Sequence, residues 1–475
     1  FTTGNTDAGN SEVCFNWFHD NLSEGLARGI FLSTGTHNML IHHNVVWHCW
    51  EGGFHGEPPM EYVQLINNTF YSTPGSYDSG GIDISSFTYL DDQIGGYVLN
   101  NVFTDDIRTL GHDVTIADNL LKGTDPQFIA PEKLDFRLKP SSPARVLGQP
   151  IAGLSAKAGA GAYAEGDWKP GYDFNNPPKV ELTFSESPFR NRLLNSSFES
   201  GLDSWEPTGP AGKVSRQALN ADPTTNTDGP VHSGRSAMRL AESGSGLRQT
   251  TSALSPNSTY ILTGWAKLTD ANATAALGVT GTFGTKTIRF ESSGEPSNWL
   301  RGSVVFTTGP HEEPVTVFFQ NSGEAGSADV LVDDLGLVQS LTPEPLLTTA
   351  RADIELNRGN GLNQFDLSGH WQRSESWTQG GRAQVRFEGR LAILYARVFE
   401  RGGIAAVSID DGPETLVDCY YPQLPHHATV QPIIPVFRSP LLPPGPHTLT
   451  LRVTGDKNPA SHGKAIRPAY LNLLE

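Results

Sequence analysis

Apolar and polar positions alternate along this chain in short runs, with turn residues between them and no long amphipathic helical stretch, so the elements predicted are strands. One local pattern returns five times. Val13-Cys-Phe-Asn16-Trp-Phe, Ile41-His-His-Asn44-Val-Val, Leu65-Ile-Asn-Asn68-Thr-Phe, Val98-Leu-Asn-Asn101-Val-Phe and Ile116-Ala-Asp-Asn119-Leu-Leu each set an Asn between apolar pairs, and these Asn are 28, 24, 33 and 18 positions apart. A fixed local pattern at irregular spacing is what stacked coils produce when each keeps its strands and lets one loop vary, which predicts a parallel β-helix. An Asn at the same corner of every coil can hydrogen-bond its counterparts above and below, so the five are read as structural.

A second strand set is aligned as Gly29-Ile-Phe-Leu-Ser33, Gly53-Phe-His-Gly-Glu57 and Gly81-Ile-Asp-Ile-Ser85. If Ile30, Phe54 and Ile82 point inward, alternation turns Phe31, His55 and Asp83 outward in one row, with Ser33, Glu57 and Ser85 in the next. Neighbouring coils are about 4.8 Å apart, which brings His55, Glu57 and Asp83 to one cleft. Glycoside hydrolysis needs a carboxylic acid and a second carboxylate set about 5–9 Å apart, so Glu57 and Asp83 are the candidate catalytic pair, with His55 to hold or tune one of them. Two alternatives stay open. A polysaccharide lyase needs a basic residue to abstract a proton, and Arg28 is the sole Lys or Arg between Phe1 and Tyr97, although His19, His43 or His55 could serve with a calcium ion. A non-catalytic glycan-binding or adhesion role fits the small number of coils. The bland reading of the carboxylates is a solvated acidic surface.

The stretch Asn16-Trp-Phe-His-Asp20, then Gly29-Ile-Phe-Leu and Ile41-His-His-Asn44-Val-Val-Trp47, resembles the repeats of bacterial right-handed parallel β-helix proteins of the pectate-lyase-like superfamily. Asp135-Phe-Arg-Leu-Lys-Pro-Ser-Ser-Pro143 and Gly159-Ala-Gly-Ala-Tyr163 resemble that family's closing segment. The resemblance implies a secreted, carbohydrate-active protein and is specific for fold rather than reaction, since glycoside hydrolases, lyases and epimerases share this scaffold.

Further on, Leu193-Leu-Asn195-Ser-Ser-Phe198-Glu199-Ser-Gly201, Trp205, His232-Ser-Gly234-Arg-Ser-Ala-Met-Arg-Leu240 and Val330-Leu-Val-Asp333-Asp334-Leu resemble the start, middle and end of a CenC-type carbohydrate-binding module, a jelly-roll β-sandwich. The resemblance implies a structural calcium ion on Glu199 and Asp333, joining the two ends of the sandwich. Trp265, Trp299 and Tyr260 are the candidate stacking platform for sugar, against the plainer reading that they belong to the core. From about residue 350, Ala383-Gln-Val-Arg-Phe387-Glu-Gly389, Ile404-Ala-Ala-Val-Ser-Ile-Asp410-Asp-Gly412 and Gly445-Pro-His447-Thr-Leu-Thr-Leu resemble a jelly-roll module of the kind appended to glycoside hydrolases, with Asp-Gly hairpins expected.

The predicted fold class is therefore all-β: C-terminal coils of a right-handed parallel β-helix over 1–178, a carbohydrate-binding sandwich over 179–342 and a second jelly-roll sandwich over 343–475. Composition agrees, with 50 Gly and 33 Pro in 475 residues. The net charge of −17 argues against a nucleic-acid or anionic-membrane partner and disfavours a strongly anionic glycan, leaving a neutral or weakly charged polysaccharide or oligosaccharide. Phe1 falls inside a repeat, which predicts an upstream part of the same β-helix. Of Cys14, Cys49 and Cys419, the first two are close enough in the coils for a disulfide to be considered. The preferred function is a secreted β-helix glycoside hydrolase with appended binding modules.

Overall fold

The computed structural model describes residues 2–3, 11–21, 28–32, 36, 38–49, 52–56, 60–71, 93–104, 114–164, 166–168, 188–219, 229–292, 299–324, 326, 328–352, 357–369, 371–372, 375–376, 379–422 and 433–474. The protein is all-β: among these residues the one α-helix is Ala144–Leu147. None of their helices is long and apolar enough to cross a membrane. The chain divides into two compact units, Phe1–Asn191 and Arg192–Glu475.

In the first unit three parallel sheets are filled in rotation. One holds Thr2–Thr3, Arg28–Leu32 and Gly52–Gly56. A second holds Glu12–Cys14, Leu40–His42, Met60–Ile66, Gln93–Leu99 and Thr115–Ala117. The third holds Trp17–Asn21, Val45–Cys49, Thr69–Tyr71 and Val102–Phe103. The expected alignment of Ile30 with Phe54 and of Phe31 with His55 is the observed register. Ile30 and Phe54 are fully buried with Ile41, Leu65, Phe70 and Val98 in the core.

The Asn corners carry the stacking. Asn16 Nδ2 donates to Asn44 Oδ1, Asn44 to Asn68, Asn68 to Asn101 and Asn101 to Asn119, at 2.9–3.0 Å. Each ladder Asn also donates to backbone carbonyls, as Asn68 does to Ile41 at 2.9 Å. The residue before each one, Phe15, His43, Asn67, Asn100 or Asp118, has φ between 51° and 57°. A left-handed residue turns the chain sharply and leaves corner N–H groups that the next coil's Asn side chain accepts. Further along the unit, Phe128–Ala130 and Asp135–Leu138 form an antiparallel pair, and Phe128, Phe136 and Leu138 pack with Trp47 and Val102.

The second unit contains two antiparallel sandwiches, each with its own core. In the first, the sheet Glu206–Thr208, Gly246–Thr250, Thr316–Asn321, Thr274–Gly281, Gly284–Glu291 faces the sheet Val214–Ala218, Ser236–Leu240, Val330–Gln339, Thr259–Leu268, Leu300–Thr307 across Met238, Leu247, Leu262, Leu277, Phe319 and Leu335. In the second, Leu347–Arg351, Pro468–Leu474, Leu391–Arg397, Ile433–Arg438 face Phe365–Ser368, Arg382–Glu388, Pro446–Lys457, Gly403–Ile409, Thr415–Asp418 across Val385, Leu394, Val407, Leu451 and Leu471. The expected Asp-Gly hairpin is shifted by one residue. Asp410 and Asp411 both have positive φ, 51° and 54°, and Gly412 N–H closes the turn onto Ile409 O.

All three cysteines are free thiols. Burial is the main cause that raises each of them, Cys14 and Cys419 to about 12 and Cys49 to about 11.

Candidate functional site

Of the candidate catalytic residues, Glu57 and Asp83 lie outside the described residues, and for His55 the described part is its backbone in Gly52–Gly56. Elsewhere on the first unit a carboxylate bridges two imidazoles. Asp20 meets His19 Nδ1 at 2.7 Å and His48 Nδ1 at 2.5 Å, and the His19 ring stacks on Trp47 at 4.4 Å. These bonds, first from His19 and then from His48, hold the Asp20 carboxyl below its ordinary range.

In the first sandwich of the second unit, Glu199 and Asp333 converge on one turn. Glu199 Oε1 accepts the N–H groups of Arg235 and Ser236 at 2.8 and 3.0 Å. Asp333 Oδ2 accepts those of His232 and Ser233 at 3.0 and 3.4 Å, and its Oδ1 accepts Asp334 N–H at 2.9 Å. Gly234 lies between them with φ +60°, and a Cβ there would stand 2.3 Å from Glu199 Oε1. Asp333 is fully buried, and burial together with the neighbouring Asp334 pushes its carboxyl well above the usual range. A bound cation relieves that cost, so this donor set fits calcium chemically. Among the described residues Glu199 and Asp333 belong to no group of three His, Cys, Asp or Glu whose ligand atoms all lie within 4.8 Å of one another, so the rest of a hard-oxygen shell would be carbonyls and water.

The three candidate platform residues are not open surfaces. Tyr260, Trp265 and Trp299 are 1%, 4% and 5% exposed. Tyr260 stacks on Phe306 in the core, and its hydroxyl accepts Ser255 N–H at 3.1 Å. His232 covers a face of Trp265 at 3.8 Å and meets the edge of Trp299 at 5.6 Å. Its Nδ1 lies 2.6 Å from Asp334 Oδ2, which anchors the stack. The cover over Trp265 is thus the His232 ring, held in place by Asp334.

An aromatic ring does reach the surface on the opposite sheet. Alternation in Thr316–Asn321 sends Phe319 into the core, 1% exposed, and leaves Phe318 half-buried on the outer face. Register sets Glu206, Arg248, Phe318, Gly278 and Thr287 in one row across the five strands. The Phe318 ring lies over Gly278: a Cβ there would stand 2.3 Å from Phe318 Cζ and 2.8 Å from Thr287 Cγ2. Missing that side chain, the sheet accepts the ring flat. Polar groups surround it. Arg248 pairs with Glu206 at 2.8 Å, the hydroxyls of Thr250 and Thr316 and those of Thr280 and Thr285 are 3.0 Å apart, and Gln320 and Arg289 are exposed. The signal for Phe318 was present in the sequence as two consecutive Phe in one strand, of which alternation must expose one.

The match to a family of known proteins falls on this same region. Residues 190–325 match a family described as a carbohydrate binding domain. No curated protein matches the chain. Among solved structures it is similar to TmCBM61 in complex with β-1,4-galactotriose, at 20% identity over 32% of this chain and 99% of that one with a TM-score of 0.27. It is also similar to a family 16 carbohydrate binding module, at 25% identity over 31% and 99% with a TM-score of 0.24. The enzymatically active domain of bacteriophage CBA120 tailspike protein 4 is similar at 12% identity over 72% of this chain and 44% of that one, with a TM-score of 0.27.

Proposed function

We propose that this protein is a secreted, polysaccharide-active protein that holds a glycan on the outer face of the sheet carrying Phe318. The observation that carries the reading is the Phe318 ring lying over Gly278, ringed by hydroxyl, amide and guanidinium groups. A flat apolar ring suits the C–H face of a pyranose, and the polar rim suits its hydroxyls. The family match of residues 190–325 supports the same reading. The net charge of −17 favours a neutral or weakly charged chain.

In this reading the first unit is a right-handed parallel β-helix, which its coil-by-coil parallel pairing and Asn ladder support. It hydrolyses the glycan with Glu57 and Asp83 as the carboxyl pair and His55 beside them, while the module, of CenC type, tethers the substrate and raises its local concentration. Calcium on Glu199 and Asp333 braces the module; the ion is structural, and its part is to neutralise the buried carboxylate and fix the His232–Ser236 turn.

The test uses the whole chain against a panel of neutral and acidic polysaccharides, with retention in affinity electrophoresis, new reducing ends and ultraviolet absorbance of unsaturated uronates followed together. Retention lost in Phe318→Ala, with reducing ends and no uronate absorbance from the wild type, is expected. Retention unchanged in Phe318→Ala overturns the binding face. Uronate absorbance moves the chemistry to a lyase, and activity surviving both Glu57→Gln and Asp83→Asn removes the carboxyl pair.

A further inference from the structure

The strands Glu12–Cys14 and Leu40–His42 run in parallel with Cys14 opposite His42. Val13 and Ile41 enter the core, so alternation places Glu12, Cys14 and His42 together on the other face. A carboxylate oxygen of Glu12, the Cys14 sulfur and a ring nitrogen of His42 all lie within 4.8 Å of one another. His42 is fully buried and presents Nε2 to Glu12 Oε1 at 2.5 Å. On its far side Nδ1 faces His43 Nδ1 at 2.8 Å, and His43, itself buried, stacks on Phe15 at 5.1 Å.

We propose that Glu12, Cys14 and His42 form a zinc-binding site with an open fourth position. Three arguments carry it. The donor set, one thiolate, one imidazole and one carboxylate, matches a borderline-soft divalent ion rather than calcium or magnesium. The charges balance, because a thiolate and a carboxylate neutralise a divalent cation where His42 is wholly removed from water. The surroundings of His42 are those of a metal-bound imidazole. One proton can lie between two facing Nδ1 atoms, and with the metal on His42 Nε2 that proton belongs to His42 and is donated to His43, the outer hydrogen bond that fixes tautomer and ring orientation. Binding releases one proton, that of the Cys14 thiol: neutral His42 carries its proton on Nδ1 once the metal takes Nε2, neutral His43 carries its own on Nε2, and no oxidation state changes. Glu12, 26% exposed in its side chain, lies on the solvent side and sets the direction of the open position.

This site is independent of the glycan-binding face. It is tested on the full chain, stripped with a chelator and returned to buffer holding excess calcium, then titrated with zinc and, separately, with cobalt(II). One zinc per chain is expected, lost in Cys14→Ala and in Glu12→Gln, with a thiolate-to-cobalt charge-transfer band that disappears in Cys14→Ala. Far-ultraviolet circular dichroism of the two variants checks that they remain folded. Failure of the wild type to take up zinc, or equal uptake by folded Cys14→Ala, or cobalt binding without the thiolate band, overturns the assignment.

Discussion

Replacing Asn68 by Ala tests how the first unit is held together. Asn68 is fully buried, and its side chain makes four bonds: Oδ1 accepts Asn44 N–H at 3.1 Å and Asn44 Nδ2 at 3.0 Å, and Nδ2 donates to Ile41 O at 2.9 Å and Asn101 Oδ1 at 3.0 Å. Some partners have substitutes. Asn44 Nδ2 keeps Val13 O and His42 O, and Asn101 Oδ1 keeps the Asn68 N–H. Asn44 N–H loses its Asn68 acceptor inside the core. A stranded buried donor costs about 1–3 kcal/mol and the bond lost by the Ile41 carbonyl about 0.5–1.5 kcal/mol, while the two partners that keep other bonds add little, so the expected cost is about 3 kcal/mol. Asn16→Ala is the control: its Nδ2 bonds to Cys14 O and Asn44 Oδ1 disappear, yet Asn16 N–H still reaches Asn44 Oδ1 at 3.1 Å, and the loss is about 1 kcal/mol. Hydrogen exchange of peptides spanning 38–49, read by mass spectrometry, isolates this unit from the sandwiches. Roughly 100- to 1,000-fold faster exchange is expected for Asn68→Ala and about fivefold for Asn16→Ala. Equal acceleration in the two would refute the claim that the ladder's interior bonds carry the stacking.

Three further outcomes follow from the sandwiches. Gly278→Ala places a Cβ 2.3 Å from Phe318 Cζ and tilts the ring, so glycan retention should fall at least about tenfold while thermal unfolding moves little, checked by affinity electrophoresis beside calorimetry. Removing calcium should lower the unfolding temperature of the wild type but not of Glu199→Gln, the ion contributing about 2.7 kcal/mol at a free concentration one hundred times its Kd. The His447–Asp410 bond, 2.6 Å, should be pH-dependent in two directions. The Pro443 carbonyl and then Asp410 raise His447 above its ordinary 6.5, so its share is present below that value and lost as pH rises through the raised one. Burial pushes Asp410 up, but His447 and Thr448 N–H outweigh it and leave the carboxyl below its ordinary 3.8, so that share is lost as pH falls through the lowered value. Urea unfolding of Asp410→Asn against wild type should therefore differ most between about pH 3.8 and 6.5, by no more than ~1 kcal/mol for a pair whose carboxylate is half exposed.

The sequence by itself determined what depends on local period. The Asn corners, the inward set Ile30 and Phe54, and the strands of both sandwiches follow from alternation, because a side chain's face is decided by its position in a strand. The resemblance named Glu199 and Asp333 as calcium ligands; that both accept N–H groups of the His232–Ser236 turn is decided only when the sandwich closes. The tertiary structure decided what depends on neighbours across strands. Trp265, Trp299 and Tyr260 carry the right chemistry for stacking but are covered, by His232 and by core rings, and no pattern along the chain reveals that cover. The Phe318 ring lies over the sheet because the residue opposite it is Gly278, 40 positions away, and Glu12, Cys14 and His42 meet because one coil sets Cys14 against His42. Alternation tells which way a side chain points; register, a property of pairs of strands, tells what it meets.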